Sequence, residues 1–246
     1  MSALRPRDAA SLVLLREDKD GPRILMGRRP PKQAFMPDVY VFPGGAVDPR
    51  DGYVPVARDL RPEVQQALAR GCTHHRARAI ALAALRETQE ETGLFVGRAA
   101  AQPKRGLHPA WKPFGDMGLL PDLGSLEFLA HAVTPPGPPR RFHARFFLAD
   151  GNEATGTLKS NGELLDLDWY PMDMLKTLPM ASITQLVLQE VDKSRPGNTP
   201  TERAVPFFSR RHGRRVVRYE KADGSVVHAG FDLTSPHDVK SPKEKV

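Results

Sequence analysis

The chain has 246 residues, a net charge of +7, 40% hydrophobic residues, 24 prolines and a single cysteine, Cys72. That length holds one sizeable domain with insertions or two small ones. The lone cysteine excludes an internal disulfide framework and fits a reducing, cytoplasmic compartment; the polar start, with Arg5, Arg7 and Asp8, is not a secretory signal, and no apolar run reaches the ~20 residues of a membrane span.

Taken in order, Ala9–Arg16 predicts a buried strand, Glu17–Pro22 a charged turn and Arg23–Arg28 its hairpin partner. A loop from Arg29 to Asp38, rich in proline and basic residues, leads into Val41-Phe42-Pro43-Gly44-Gly45, a short strand running into a glycine turn. Pro62–Arg70 reads as a helix with proline near its start and Gly71 past its end. Arg76–Thr92 reads as a long helix, ended by Gly93 in the left-handed position. Leu94–Val96 starts a strand. The irregular stretch Gly97–Leu123 contains Trp111 and Phe114 and should pack down as a lid or wall. Strands at Leu126–Val133 and Phe142–Ala149 flank a proline turn, and a polar loop, Gly151–Gly162, follows. Glu163–Tyr170 alternates its apolar positions, Met172–Thr177 makes a short helical turn and Ser182–Lys193 is a final helix. Beyond 194 the pattern weakens. Arg214–Glu220 and Ser225–Gly230 look like an exposed hairpin, followed by a disordered tail. From 195 to 246 there are eleven Lys/Arg against six Asp/Glu, so most of the surplus charge lies in this C-terminal extension.

The chemistry concentrates in Arg86-Glu87-Thr88-Gln89-Glu90-Glu91-Thr92-Gly93-Leu94. At about 100° per residue, Glu87, Glu90 and Glu91 fall at roughly 0°, −60° and +40° on the helix, within one narrow arc. Three like charges there repel unless a cation sits among them, and hard Mg²⁺ or Mn²⁺ suits such oxygen donors. The competing reading is a solvated acidic face near a helix end.

A strand, Gly-Gly and then Arg-Glu-x-x-Glu-Glu-x-Gly-Leu resemble the signature of the nudix hydrolases, Gly-x5-Glu-x7-Arg-Glu-U-x-Glu-Glu-x-Gly-U with U a bulky apolar residue. The second half matches at every fixed position, with Thr88 where a larger aliphatic is usual. Counting from Gly45, Asp51 stands where the first Glu belongs, and Arg86 follows 35 positions later where the signature expects 8. The motif is thus divided by 27 extra residues, about 52–78. This split resembles a branch that includes peroxisomal coenzyme A diphosphatases. Flanking stretches carry the likeness too: Met36-Pro37-Asp38-Val39-Tyr40 before the glycines, and Arg141-Phe142-His143-Ala144-Arg145-Phe146-Phe147 after Thr134-Pro135.

The resemblance implies an α/β/α sandwich around a mixed sheet, spanning residues 1–194, with a helical insertion inside the motif. It implies metal-dependent hydrolysis of a diphosphate linkage in a nucleotide-type small molecule, with coenzyme A or acyl-coenzyme A the leading substrate. Metal ligands would be Glu87, Glu90, Glu91 and the backbone carbonyl of Gly45. Arg86 would orient a glutamate through a bidentate bond, or pair with Glu90 at i+4. Asp51 either reaches the metals or has lost that role. The general base would come from outside the motif: Glu163 first, then Asp166 or Asp168. Arg28, Arg29, Arg141 and Arg145 are candidates for substrate phosphates, and Phe35, Trp111 and Phe114 for stacking on a base. His74 and His75 lack the partners of a zinc site. Two rival functions are a non-catalytic nucleotide-sensing module and an RNA-decapping enzyme. The basic run around Arg210–Arg215 lacks an RNA-binding module and reads as a solvated edge or a homodimer contact. No membrane partner is expected.

Overall fold

The computed structural model describes residues 4–33, 36–101, 106–194, 204–211, 214–221 and 223–231. Phe35 and the C-terminal tail lie outside the described residues. In chain order the strands are β1 (Arg7–Asp18), β2 (Gly21–Arg28), β3 (Tyr40–Val41) and β4 (Gly44–Ala46), then β5 (Leu94–Phe95), β6 (Gly97–Ala99), β7 (Leu119–Pro121), β8 (Glu127–Val133) and β9 (Phe142–Asp150). They continue with β10 (Thr155–Gly156), β11 (Leu165–Pro171), β12 (Val205–Arg211), β13 (Arg214–Glu220) and β14 (Val226–Phe231). The helices are α1 (Pro62–Ala69), α2 (His74–Thr92), α3 (Lys112–Asp116) and α4 (Ser182–Lys193).

The main sheet runs β11-β2-β1-β9-β8-β12-β13-β14, with β3 on β2 and β4 on β1. It is mixed: β1 pairs parallel with β9 and antiparallel with β2. The unbroken apolar run of β1 follows from burial on both faces. Ala10, Leu12 and Leu14 pack in the cluster that holds α1 and α2, while Val13 and Leu15 pack in the cluster that holds α4. These two clusters are the two interfaces of an α/β/α sandwich. No helix of the described residues is long and apolar enough to cross a membrane.

α2 starts two residues before the position expected from its periodicity, because the Thr73 side chain caps it by accepting from the Arg76 N–H at 3.2 Å. At its other end Gly93 adopts φ 71° and its N–H donates to Gln89 O. The helix is lined with alanines, from Ala77 to Ala84, so it lies close against β1 and β4. The irregular stretch after β5 packs down as expected, with Trp111 and Phe114 fully buried. It is stitched to the insertion: Ala57 N–H donates to Pro121 O at 2.8 Å and Leu123 N–H to Arg58 O at 3.0 Å.

Several pairings escape the sequence reading, among them β6 with β7, antiparallel, inside the stretch read as irregular. The polar loop after β9 contributes β10, which pairs antiparallel with β5. The C-terminal stretch adds three strands to the main sheet, β12 pairing parallel with β8 through Phe207↔His131 and Phe208↔Ala132. β13 and β14 pair antiparallel.

Candidate active site

The pairing of β1 with β4, Ala10↔Gly45 and Ser11↔Gly44, brings the glycine turn over the last turns of α2. Close approach explains both glycines. A Cβ at Gly44 would stand 2.6 Å from Ser11 Cα, and one at Gly45 would stand 2.5 and 2.6 Å from Glu87 Oε2 and Oε1. The Gly44 N–H donates to Glu91 Oε2 at 2.9 Å.

Arg86 is the hub of the site, with only 9% of its side chain exposed. Its Nε and Nη2 donate to Asp51 Oδ1 and Oδ2 at 3.0 and 3.2 Å, and Nη2 also donates to Ala46 O at 3.0 Å. Nη1 donates to Glu87 Oε1 at 2.8 Å and to Glu90 Oε2 at 3.3 Å. Burial alone would lower the guanidinium's pKa, but its bonds to Asp51 and the charge of Glu87 hold it above the usual range. The bidentate bond of Arg86 goes to Asp51 and not to a glutamate, while Glu87 and Glu90, the latter at i+4, share its remaining nitrogen.

The place of Asp51 follows. Its carboxylate also accepts from Trp111 Nε1 at 3.2 Å and from the Asp48 N–H at 3.0 Å. Buried and fully engaged, it faces Arg86 from the side opposite the glutamates. It holds the arginine, and the arginine holds Glu87 and Glu90. Asp48 joins this constellation without being expected, and Trp111, expected to stack on a base, instead supports Asp51. Trp111 lies 60 positions from its partner, and no local spacing could reveal the contact.

The three carboxylates differ in depth. Glu90 is the most open, at 37% side-chain exposure, against 15% for Glu87. Glu91 is buried. Burial pushes Glu87 upward against the pull of Arg86. Burial pushes Glu91 up to about 8; the Gly44 N–H opposes this, and the charges of Glu87 and Glu163 add to it. Among the described residues, no three His, Cys, Asp or Glu side chains already converge as a cation cage. The donor set nevertheless fits a hard divalent ion: carboxylate oxygens on one helical arc, with the Cβ-free Gly45 lying against Glu87.

The other expected residues separate. Glu163 is exposed, accepts from Asn161 Nδ2 at 3.2 Å and lies close enough to add to the field at Glu87 and Glu91. Asp168 is also exposed, and its Oδ1 accepts from the Trp169 N–H. Arg29 donates to Gln33 Oε1 at 3.0 Å; burial lowers its pKa and the charge of Glu91 opposes that, so Arg29 lies within the field of Glu91. Arg28 is held by Asp166 and Asp38. Arg141 donates to the carbonyls of Thr134 and Leu4. Arg145 is buried and pairs with Asp8, which also takes Arg76 from the first turn of α2. That network sits at the end of α2 away from the glutamates. Trp111 and Phe114 are core residues and offer no face to a base. His75 packs on Tyr53 with ring centroids 4.6 Å apart and planes tilted by 55°, and His74 is exposed.

The chain belongs to the Nudix family: the NUDIX domain profile matches residues 5–191. A NUDIX hydrolase of known structure from Alicyclobacillus acidocaldarius is 31% identical, with TM-score 0.59, over 76% of this chain and 91% of that one. A MutT protein from Bacillus halodurans is 14% identical with TM-score 0.46, over 93% and 99% of the two chains. A MutT NUDIX hydrolase from Burkholderia pseudomallei is 20% identical with TM-score 0.44, over 76% and 99%. No curated protein matches. Members of the family cleave diphosphate linkages in nucleoside diphosphate derivatives and generally use divalent metals such as Mg²⁺ or Mn²⁺.

Proposed function

We propose that this protein is a metal-dependent diphosphatase acting on a nucleoside-diphosphate-linked small molecule, and that Glu87, Glu90, Glu91 and the Gly45 carbonyl hold Mg²⁺ or Mn²⁺. The observation that carries this reading is the Arg86 hub, which fixes Glu87 and Glu90 from a buried anchor while leaving Glu90 open. A bound divalent ion would neutralise charge on the phosphate oxygens and acidify the attacking water.

The chain's own part is to orient and to accept a proton. Arg86 keeps the two glutamates on the helix face, and the Gly44 N–H fixes Glu91. Glu163 takes the proton from the water as its oxygen attacks phosphorus, and the diphosphate P–O bond breaks. Arg29, within the field of Glu91, takes a phosphate oxygen of the substrate. Our leading substrate class is coenzyme A or acyl-coenzyme A, on the division of the motif by residues 52–78. The domain assignment follows the same line: residues 1–194 as the hydrolase and 195–246 as an extension.

A screen of coenzyme A, ADP-ribose, dinucleoside polyphosphates and nucleotide sugars with Mg²⁺ or Mn²⁺, read by released phosphate groups, tests the substrate. Glu90→Gln and Glu91→Gln should each remove turnover, on the order of 10²-fold or more, with the fold retained by circular dichroism. Full activity in both variants would sink the assignment of the metal site.

A further inference from the structure

Among the described residues, three non-glycine residues hold left-handed backbone: Met36 at φ 51°, Asp38 at φ 56° and Asp166 at φ 49°. L-residues visit that region at an energetic disadvantage, and such strain gathers at functional sites. Two of the three, from segments far apart in sequence, reach the same guanidinium. Arg28 Nε donates to Asp166 Oδ2 at 2.6 Å and Arg28 Nη1 to Asp38 Oδ1 at 2.8 Å. Both pairs are partly exposed, 28% at Arg28 against 49% at Asp166 and 54% at Asp38, so together they fix geometry more than they add stability.

Arg28 ends β2, opposite Leu165 of β11 on one side and Tyr40 of β3 on the other. The register between β2 and β11 shifts between Leu165 and Asp168, and Asp166 sits in that bulge. The Asp166 carbonyl is pinned by the Tyr170 hydroxyl at 2.6 Å. Three positions before Asp166 stands Glu163. Between them Leu164 is pressed onto Gly27, where an added Cβ would stand 2.7 Å from Leu164 Cβ. On the other flank, Asp38 N–H donates to Arg29 O at 3.2 Å and Arg29 N–H to Val39 O at 2.9 Å, folding that segment back on Arg29.

We propose that Arg28 is a positioning residue that sets both flanks of the site at once, placing Glu163 through Asp166 and Arg29 through Asp38. This rests on the reading of Glu163 and Arg29 given above. Arg28 itself does not meet substrate: both of its described bonds go to the two aspartates, and its effect passes through the segments they anchor. A bulge re-aims the side chains beside it, and the clamp holds this bulge in one geometry.

Two arms test it on the full chain. In hydrogen exchange, Arg28→Gln should speed the bonded amides of Arg29, Gln33 and Asp38 on one flank and of Gly162 and Glu163 on the other together, leaving α2 unchanged. Unchanged exchange, or change confined to one flank, overturns the proposal whether or not the protein hydrolyses anything. In kinetics, on whichever of coenzyme A, ADP-ribose and diadenosine tetraphosphate the wild type turns over fastest with Mg²⁺, Arg28→Gln should lower kcat ten- to a hundredfold through Glu163 and raise KM at least threefold through Arg29. Arg28→Lys should recover part of that loss. Added to Glu163→Gln, Arg28→Gln should lower kcat less than threefold further. Wild-type kinetics in Arg28→Gln, or an equal loss with and without Glu163, overturns it. A wild type inactive on every substrate fails the proposed function instead, and the exchange arm still decides the clamp.

Discussion

Asp51 and Arg86 are joined by two hydrogen bonds, Nε to Oδ1 at 3.0 Å and Nη2 to Oδ2 at 3.2 Å, across 35 positions of chain. The pair bridges the insertion: Asp51 stands just before it, in the 3-10 turn Asp51–Tyr53, and Arg86 follows on α2. Aspartate in place of the glutamate of the motif is thus matched to a short reach, and Trp111 fills the other side of the carboxylate.

Breaking that pair leaves a buried guanidinium without its main counter-charge. Asp51→Ala should lower stability by about 3–5 kcal/mol, measured by urea denaturation. It should also lower kcat, since Arg86 then no longer holds Glu87 and Glu90 in place. Asp51→Ala with unchanged stability and activity would mean that Arg86 is anchored by its other bonds alone.

Gly45→Ala tests the close approach at the glutamates. The added Cβ meets the flexible end of Glu87, not backbone, so the side chain can swing away and the fold should survive with Tm changed by a few degrees. Glu87 then leaves the arc. The Mg²⁺ concentration for half-maximal activity should rise at least tenfold. A variant that loses activity but keeps its Mg²⁺ dependence would place the role of Gly45 elsewhere.

Much of this site is legible in the chain because its parts are local. Glu87, Glu90 and Glu91 share a face by helical spacing alone, and Gly93 ends the helix as glycines do. The depth of each carboxylate is not local. It depends on β4 crossing above α2, which is set by pairing with β1 some 35 positions away. Arginines are where spacing misleads most. Arg28, Arg29, Arg141 and Arg145 are alike in sequence, yet Arg145 is drawn to Asp8, Arg28 to two aspartates and Arg141 to two carbonyls, and of the four it is Arg29 that feels the charge of Glu91. β12 was missed because its partner, β8, is some 75 positions earlier and parallel, a pairing without a turn to announce it.

The insertion is anchored by Asp122, which is buried and accepts two bonds from Arg58 at 2.8 and 2.6 Å and one from Arg98 at 2.7 Å. Burial would raise its pKa; the two arginines outweigh that and lower it. A carboxylate with a depressed folded-state pKa contributes stability above its unfolded value, about pH 4, and loses it as pH falls through the folded value. Wild type should therefore exceed Asp122→Asn by about 1–3 kcal/mol at neutral pH, and the gap should close as pH falls below about 4. Urea midpoints at the two ends of that range measure it. A gap independent of pH would show that shape, not charge, holds the insertion.

Trp111 separates packing from polarity at the anchor. The ring is 1% exposed and packs against Phe114, with centroids 5.2 Å apart, while its N–H reaches Asp51 Oδ1 at 3.2 Å. Trp111→Phe keeps most of the apolar contact and removes one donor to a charged acceptor, which should lower stability by about 1.5–3 kcal/mol. Trp111→Ala also opens a cavity and should lower it by about 3–5 kcal/mol. If the N–H matters to the site beyond stability, Trp111→Phe should lower kcat severalfold at a temperature where the variant is fully folded, because Asp51 then holds Arg86 less tightly. In an Asp51→Ala background the same change should do nothing further to kcat. Equal effects in both backgrounds would make Trp111 a core residue with no part in orienting the glutamates.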